Sequence, residues 1–342
     1  MRRMMLIIVL VFSCLAVWAQ TASDILKSNN VLAYTHNGAA YLMDINTGKE
    51  VRIPSAKGVT QLVWDSSGTR LFGFGYGTPT GETSKHAYFT EFQLPSLTEK
   101  AILDEKMSDW DLVNMEIELG SDNRIYVYEC IEEYDDDDYE GYYPYYEWYV
   151  YKYYDLGANA LTDMKPGEVS TKKYQPAYIK EAVTEGHGIK NDSVLDGEIK
   201  HYELFISDNP KADNPSYKRL TKVNFEQFKK SFNGDMIDFM PSPNDKLILY
   251  AYHYHISDPG TDNSYAMLIS RDGKKSMFVA DDAPINYSEE IFWTTDSKLV
   301  YCGRADRQAD KLQLAVINQD FTSKALKTFD LKDRPKLSYR YK

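Results

Sequence analysis

A short hairpin recurs six times along this chain, and that recurrence constrains the fold more than any other feature. Its first copy is Ala40-Tyr-Leu-Met-Asp-Ile-Asn-Thr-Gly-Lys-Glu-Val-Arg-Ile53. An alternating strand runs into Asp44, a turn follows at Asn46-Thr47-Gly48, and a second strand leaves. Further copies open at Ala87, Trp148, Tyr202, Tyr265 and Leu312, at spacings of 47 to 63 residues. That spacing is the period of a four-stranded propeller blade with variable loops, about 40 to 50 residues plus insertions.

A second element precedes the hairpins. Val63-Trp-Asp-Ser-Ser-Gly-Thr-Arg-Leu-Phe72 reads as strand, polar turn, strand. Related forms are Phe239-Met-Pro-Ser-Pro-Asn-Asp-Lys-Leu-Ile-Leu-Tyr250 and Ile291-Phe-Trp-Thr-Thr-Asp-Ser-Lys-Leu-Val-Tyr301, with a weaker one at Ile117 to Tyr126. Small polar residues with Asp, Asn and Gly supply the turn. Together the two elements make four strands per unit. This aromatic-Ser-Pro-Asn-Asp-Lys-Leu turn, followed by the Tyr-Leu-x-Asp-x-x-x-Gly hairpin, resembles the TolB-type propeller repeat. Propeller domains of dipeptidyl peptidases share it. The resemblance covers most of residues 30–340 and implies a fold. The hydrolase domain and the partner-binding tail of those families have no visible counterpart, so neither activity carries over.

The fold expected is therefore all-β: a single β-propeller, six four-stranded blades rather than seven. The first unit, Asn30 to Pro54, holds only three strand patterns, and the C-terminal Pro335-Lys-Leu-Ser-Tyr-Arg-Tyr341 is a strand without a hairpin. The economical solution is that the tail completes the first blade, which removes exposed sheet edges.

The start of the chain reads differently. Arg2 and Arg3 precede an apolar run from Met4 to Val17, and Val17-Trp18-Ala19 places small residues where a signal peptidase reads. Residues 1–19 are expected to be a signal peptide and 20–342 the propeller. The run is shorter than the ~20 residues of a membrane span. A lipoprotein anchored at Cys14 is the lesser alternative. The product is expected to be exported: periplasmic, associated with the outer envelope, or secreted by a bacterium. Without the two arginines, 37 basic residues face 51 acidic ones, a net charge of −14. Such a surface disfavours nucleic acid and anionic membranes. Cys130 and Cys302 both lie in strand patterns, so two separate buried thiols are expected rather than a disulfide.

The largest departure from regularity is the acidic, tyrosine-rich insertion at 132–147, placed between the second and third strands of the third blade. Twelve tyrosines lie from Tyr126 to Tyr154. In one reading the insertion is a solvated acidic loop with tyrosines covering the propeller. In the other it is a recognition loop, because Tyr and Trp give rigid, amphipathic contact area. The candidate contact residues are Tyr134, Asp135, Asp136, Asp137, Asp138, Tyr139, Tyr142, Tyr143, Tyr145, Tyr146 and Trp148. Four consecutive Asp match no calcium loop, so calcium is a minor alternative and no cofactor is expected. Asn224 to Phe232, with Phe spaced at three and four, reads as a short helix.

The six histidines are scattered; His253 and His255 alone share a strand face, without matching ligands. No Gly-x-Ser-x-Gly elbow and no phosphate loop occur. The function expected is a non-catalytic propeller that binds a protein, peptide or glycan in the cell envelope. The alternative is an exported hydrolase acting on sugars or peptides in the propeller funnel.

Overall fold

The computed structural model describes residues 21–55, 58–78, 84–107, 112–133, 145–164, 188–196, 199–222, 236–255, 262–281, 291–304 and 310–341. The fold class is all-β, of the six-bladed propeller type: six antiparallel sheets follow one another, each a meander. The chain divides into two compact units, residues 1–175 with 335–342 and residues 176–334.

In the first unit, sheet 1 contains β1 (Val31–His36), β2 (Ala39–Asp44) and β3 (Glu50–Ile53). Sheet 2 contains β4 (Gln61–Trp64), β5 (Leu71–Gly77), β6 (Lys85–Gln93) and β7 (Thr98–Met107). Sheet 3 contains β8 (Leu112–Leu119), β9 (Arg124–Glu133), β10 (Tyr145–Asp155) and β11 (Ala160–Asp163). In the second unit, sheet 4 shows three strands among the described residues: β12 (Ile189–Asp196), β13 (Ile199–Ile206) and β14 (Lys218–Arg219). Sheet 5 runs β15 (Met236–Pro241), β16 (Leu247–His255), β17 (Asp262–Ser270) and β18 (Ser276–Asp281). Sheet 6 runs β19 (Ile291–Trp293), β20 (Leu299–Arg304), β21 (Lys311–Ile317) and β22 (Ser323–Asp330). A single bridge, Asp281 with Arg304, ties sheets 5 and 6.

The last strand, β23 (Lys336–Tyr339), pairs antiparallel with β1, Leu32 opposite Tyr339 and Thr35 opposite Lys336. The C-terminal strand thus supplies the fourth strand of sheet 1, as the incomplete first repeat requires.

The repeated Asp explains why the hairpins turn where they do. Asp155 Oδ1 accepts hydrogen bonds from the Gly157 and Ala158 amides at 2.9 and 2.8 Å. Asp272 Oδ1 accepts from Lys274 N and Asp320 Oδ1 from Thr322 N. Asp44 Oδ1 does the same for Asn46 N. A short carboxylate that binds the backbone two residues on closes the turn before the second strand forms. Asp65 plays this part in the other turn type, taking the Thr69 and Arg70 amides at 2.7 and 2.8 Å.

Sheets within a unit pack face to face. Leu42, Val51, Leu62, Trp64, Leu71 and Phe92 bury the space between sheets 1 and 2. Phe72, Phe74, Phe89, Ile117, Val127 and Tyr154 fill that between sheets 2 and 3. In the second unit, Leu247, Leu249, Leu268, Trp293 and Leu299 do so between sheets 5 and 6. Two tryptophans in equivalent repeats make the same link. Trp64 Nε1 donates to Ser338 O (3.2 Å) on the first strand of the preceding sheet, and Trp293 Nε1 donates to Met240 O (3.1 Å). Gln61 adds a two-point bond, its amide pairing with Ile117 N and O at 2.8 Å each. At Gly75 a Cβ would lie 2.0 Å from Gly58 O, so only glycine permits that backbone approach.

One element goes beyond the sequence reading. Residues 21–26 are helical and bury Ala22 and Ile25 against sheets 1 and 2. Arg340, just after β23, donates from Nη2 to Leu26 O and Ser28 O and lies over the Trp64 ring at 5.6 Å. The guanidinium therefore caps orphan carbonyls after the helical turn. Cys130 and Cys302 are buried free thiols, as expected. Residues 1–19, Cys14 among them, and the helix expected at Asn224 to Phe232 lie outside the described residues.

Candidate functional site

The irregular part of sheet 3 is an arm of β9 and β10 that extends beyond β11 and, at its tip, beyond β8. β9 and β10 pair continuously from Arg124 with Asp155 to Glu133 with Tyr145. Their flanking strands are shorter. β11 pairs only with Lys152 to Asp155, and β8 reaches no further than Ile131 of β9. The register shifts between Val150 and Lys152, a bulge at the level where β11 stops. Bulges raise local twist and re-aim a strand. Burial thins out along the arm but reaches Cys130, opposite Trp148: Ile125, Tyr126, Val127, Cys130 and Tyr154 are buried, while Glu132 and Val150 are not.

The root of the arm is fixed by polar contacts. Lys152 donates to Asp163 Oδ1 (2.9 Å) and Glu105 Oε1 (3.2 Å), and its Nζ lies 4.6 Å from the Tyr151 ring centre. Tyr151 Oη donates to the other Glu105 oxygen at 2.9 Å. Burial opposes the lysine charge, but the two carboxylates outweigh it, and the ammonium is held well above its ordinary pKa. Arg124 stacks over Tyr153 at 4.5 Å on the neighbouring strand.

Further along, Trp148 is 47% exposed and Tyr149 40% exposed. Adjacent strand residues face opposite sides of a ribbon. Neither face of the ribbon is therefore fully covered at this level. The structure thus leaves Trp148 on the surface, with Tyr149, part of the regular hairpin pattern, exposed beside it. Tyr145 and Tyr146 begin β10, opposite Glu133 and Glu132. Tyr134, Asp135, Asp136, Asp137, Asp138, Tyr139, Tyr142 and Tyr143 lie outside the described residues, as does the calcium alternative that rested on them.

Histidine chemistry meets a closed door at the one described cluster that resembles a catalytic group. His201 Nε2 lies 3.1 Å from Glu203 Oε1, Arg219 Nη2 donates to that oxygen at 2.7 Å, and Thr221 Oγ1 donates to the other. His201 and Glu203 are fully buried, and both carboxylate oxygens are engaged. This is an internal ion-pair network holding β13 to β14 and the residues after it. Among the described residues no three His, Cys, Asp or Glu side chains converge as metal ligands. The side chains of His253 and His255 lie outside the described set.

No family model matches the chain, and no curated protein matches it. Solved structures do. A putative 6-phosphogluconolactonase from Bacteroides fragilis is 10% identical, over 91% of this chain and 98% of its own, with a TM-score of 0.37. Apo AztD from Citrobacter koseri is 11% identical, over 91% and 97%, at a TM-score of 0.31. An oligogalacturonate lyase in complex with manganese is 11% identical, over 84% and 69%, at 0.28. These neighbours are propeller folds of varied function. The fold class of this chain rests on its own strand order.

Proposed function

We propose that this chain is an exported, non-catalytic β-propeller of the TolB-like repeat type that binds a protein, peptide or glycan in the cell envelope. The β9–β10 arm is its contact surface. The observation that carries the reading is the exposure of Trp148 and Tyr149 on opposite faces of one ribbon whose root is locked by Lys152 and Glu105. Rigid aromatic side chains lose little entropy on binding, so they concentrate affinity. The regular sheets are scaffold, and the acidic residues around the arm favour a partner with basic or hydroxyl-rich chemistry.

The test compares capture from a native envelope fraction by wild type, by the Trp148→Ala/Tyr149→Ala double variant, and by a chain with residues 132–147 replaced by a short Gly/Ser turn. Both variants are expected to melt like wild type and to lose the species that wild type retains. Undiminished capture by both would overturn the assignment of the arm.

A further inference from the structure

Three turns of the second unit border an open cleft of about 420 Å³, within the size range of small-molecule sites. They are the β15–β16 turn, the β17–β18 turn and the β21–β22 turn. The cleft is set rigidly. Arg271 N donates to Lys246 O (2.9 Å) between the first two turns, and the Gln319 side chain is tied to Asp296 O at 3.0 Å. Four cations line it, Lys246, Arg271, Lys274 and Lys275, against two carboxylates, Asp245 and Asp272.

The carboxylates are engaged within the turns. Asp245 pairs with Arg271. Asp272 accepts from Ser270 Oγ (2.7 Å) and Lys274 N (3.1 Å) and pairs with Lys274 Nζ (3.0 Å). Lys246 and Lys275 have no ion pair among the described residues. Asp320, beside the cleft, directs Oδ1 to Thr322, and its charge also interacts with that of Lys275, which leaves Lys246 the cation least opposed by a carboxylate. The result is a concave, locally positive surface on a chain of net charge −12. Its floor is apolar: Leu247 is buried, and Phe321 is half-buried with the Lys275 ammonium 5.9 Å from its ring centre.

We propose that this cleft binds an acidic sugar, a pyranose ring carrying a carboxylate. Each part of the lining has a counterpart in that ligand. The carboxylate meets Lys275 and Lys246 as charge-assisted hydrogen bonds. The C–H face of the ring covers Phe321 and Leu247. Hydroxyl groups donate to the Gln319 carbonyl oxygen and to Asp272, which stays ionised. A bare inorganic anion uses the lysines and leaves the aromatic floor wet; a neutral sugar uses the floor and leaves the lysines unpaired. The cleft shares no residue with the β9–β10 arm, so the two sites are separable by mutation.

Isothermal titration calorimetry of the full chain with D-glucuronate, D-glucose and inorganic phosphate tests the proposal. Glucuronate is expected to bind saturably, and glucose and phosphate at least about 10-fold more weakly, glucose for want of a charge-assisted bond and phosphate for want of the contact with the apolar floor. The Lys246→Gln/Lys275→Gln variant, in which both changed side chains are exposed, is expected to keep the wild-type melt and to lose affinity for glucuronate at least about 10-fold. The Phe321→Leu variant is expected to narrow the gap between glucuronate and phosphate. The Trp148→Ala/Tyr149→Ala variant is expected to titrate as wild type. Any one of three results overturns the proposal: no saturable glucuronate heat, phosphate or glucose binding as tightly as glucuronate, or full affinity in the double lysine variant.

Discussion

Removing Pro335 to Lys342 is the perturbation with the largest expected consequence for its size. The deletion takes away β23, and with it four paired positions against β1. It exposes the surface that Leu337, Tyr339 and Arg340 bury. It breaks Tyr339 Oη to Asn30 Oδ1 (2.7 Å), Trp64 Nε1 to Ser338 O (3.2 Å), Arg340 N to Val31 O (3.0 Å) and the Arg340 cap on Leu26 and Ser28. It also removes the Lys336 to Glu116 ion pair that reaches sheet 3. Burial of one large apolar side chain is worth about 1.5–3 kcal/mol and each internal hydrogen bond about 1 kcal/mol, so Leu337, Tyr339 and the five hydrogen bonds just named come to roughly 8–11 kcal/mol before the strand pairing is counted. That is comparable with the whole stability of an ordinary domain, about 5–15 kcal/mol. The deletion also turns β1 into an open edge, a template for intermolecular pairing. The truncated chain is expected to be aggregated or largely unfolded, read by far-ultraviolet circular dichroism melting and size-exclusion chromatography. A graded control, Leu337→Ala, is expected to cost about 2–5 kcal/mol and to lower the melting temperature of the first unit without abolishing its folding. A truncated protein that elutes as a monomer and melts within about 2 °C of full length refutes the reasoning, because a shift that small corresponds to less than about 1 kcal/mol.

Two further outcomes test the links within each unit. Gln61→Leu removes both bonds to Ile117 and leaves a buried amide and carbonyl without that partner, so a loss of about 2–4 kcal/mol is expected, with faster hydrogen exchange at the Ile117 amide. Unchanged exchange there would show that the side chain is incidental. The Asp272 carboxylate is held at about 2, below the ordinary value of 3.8, chiefly by the hydrogen bond from Ser270 and the Lys274 amide. A depressed folded-state pKa stabilises the native state above about pH 4 and loses that contribution as pH falls towards 2. The difference in melting temperature between wild type and Asp272→Asn is therefore expected to be constant from pH 5 to pH 7 and to shrink steadily between pH 4 and pH 2. A difference that grows on acidification contradicts the assignment.

The sequence by itself determined the architecture because its signals are local. Alternation marks strands such as β3 and β23, continuous apolar runs mark strands such as β1 and β5 that are buried on both faces, and an Asp that binds the backbone two residues on fixes where four of the hairpins turn. That is why the hairpins at Asp44, Asp155, Asp272 and Asp320 were legible, and why the missing strand of the first repeat pointed to Lys336 to Tyr339. What only the tertiary structure decided depends on contacts between residues far apart in the chain. Trp64 and Trp293 read as ordinary strand aromatics until each was seen donating to a carbonyl of the preceding sheet. Nothing local to Arg340 says that it caps carbonyls more than 300 positions away. The contact surface divides the same way. The sequence marks an aromatic, acidic insertion, but whether Trp148 and Tyr149 pack inward or face solvent depends on where β11 stops beside β10, since β8 still pairs β9 at that level. The lengths of those flanking strands are set by pairing and packing, which no run of neighbouring residues encodes.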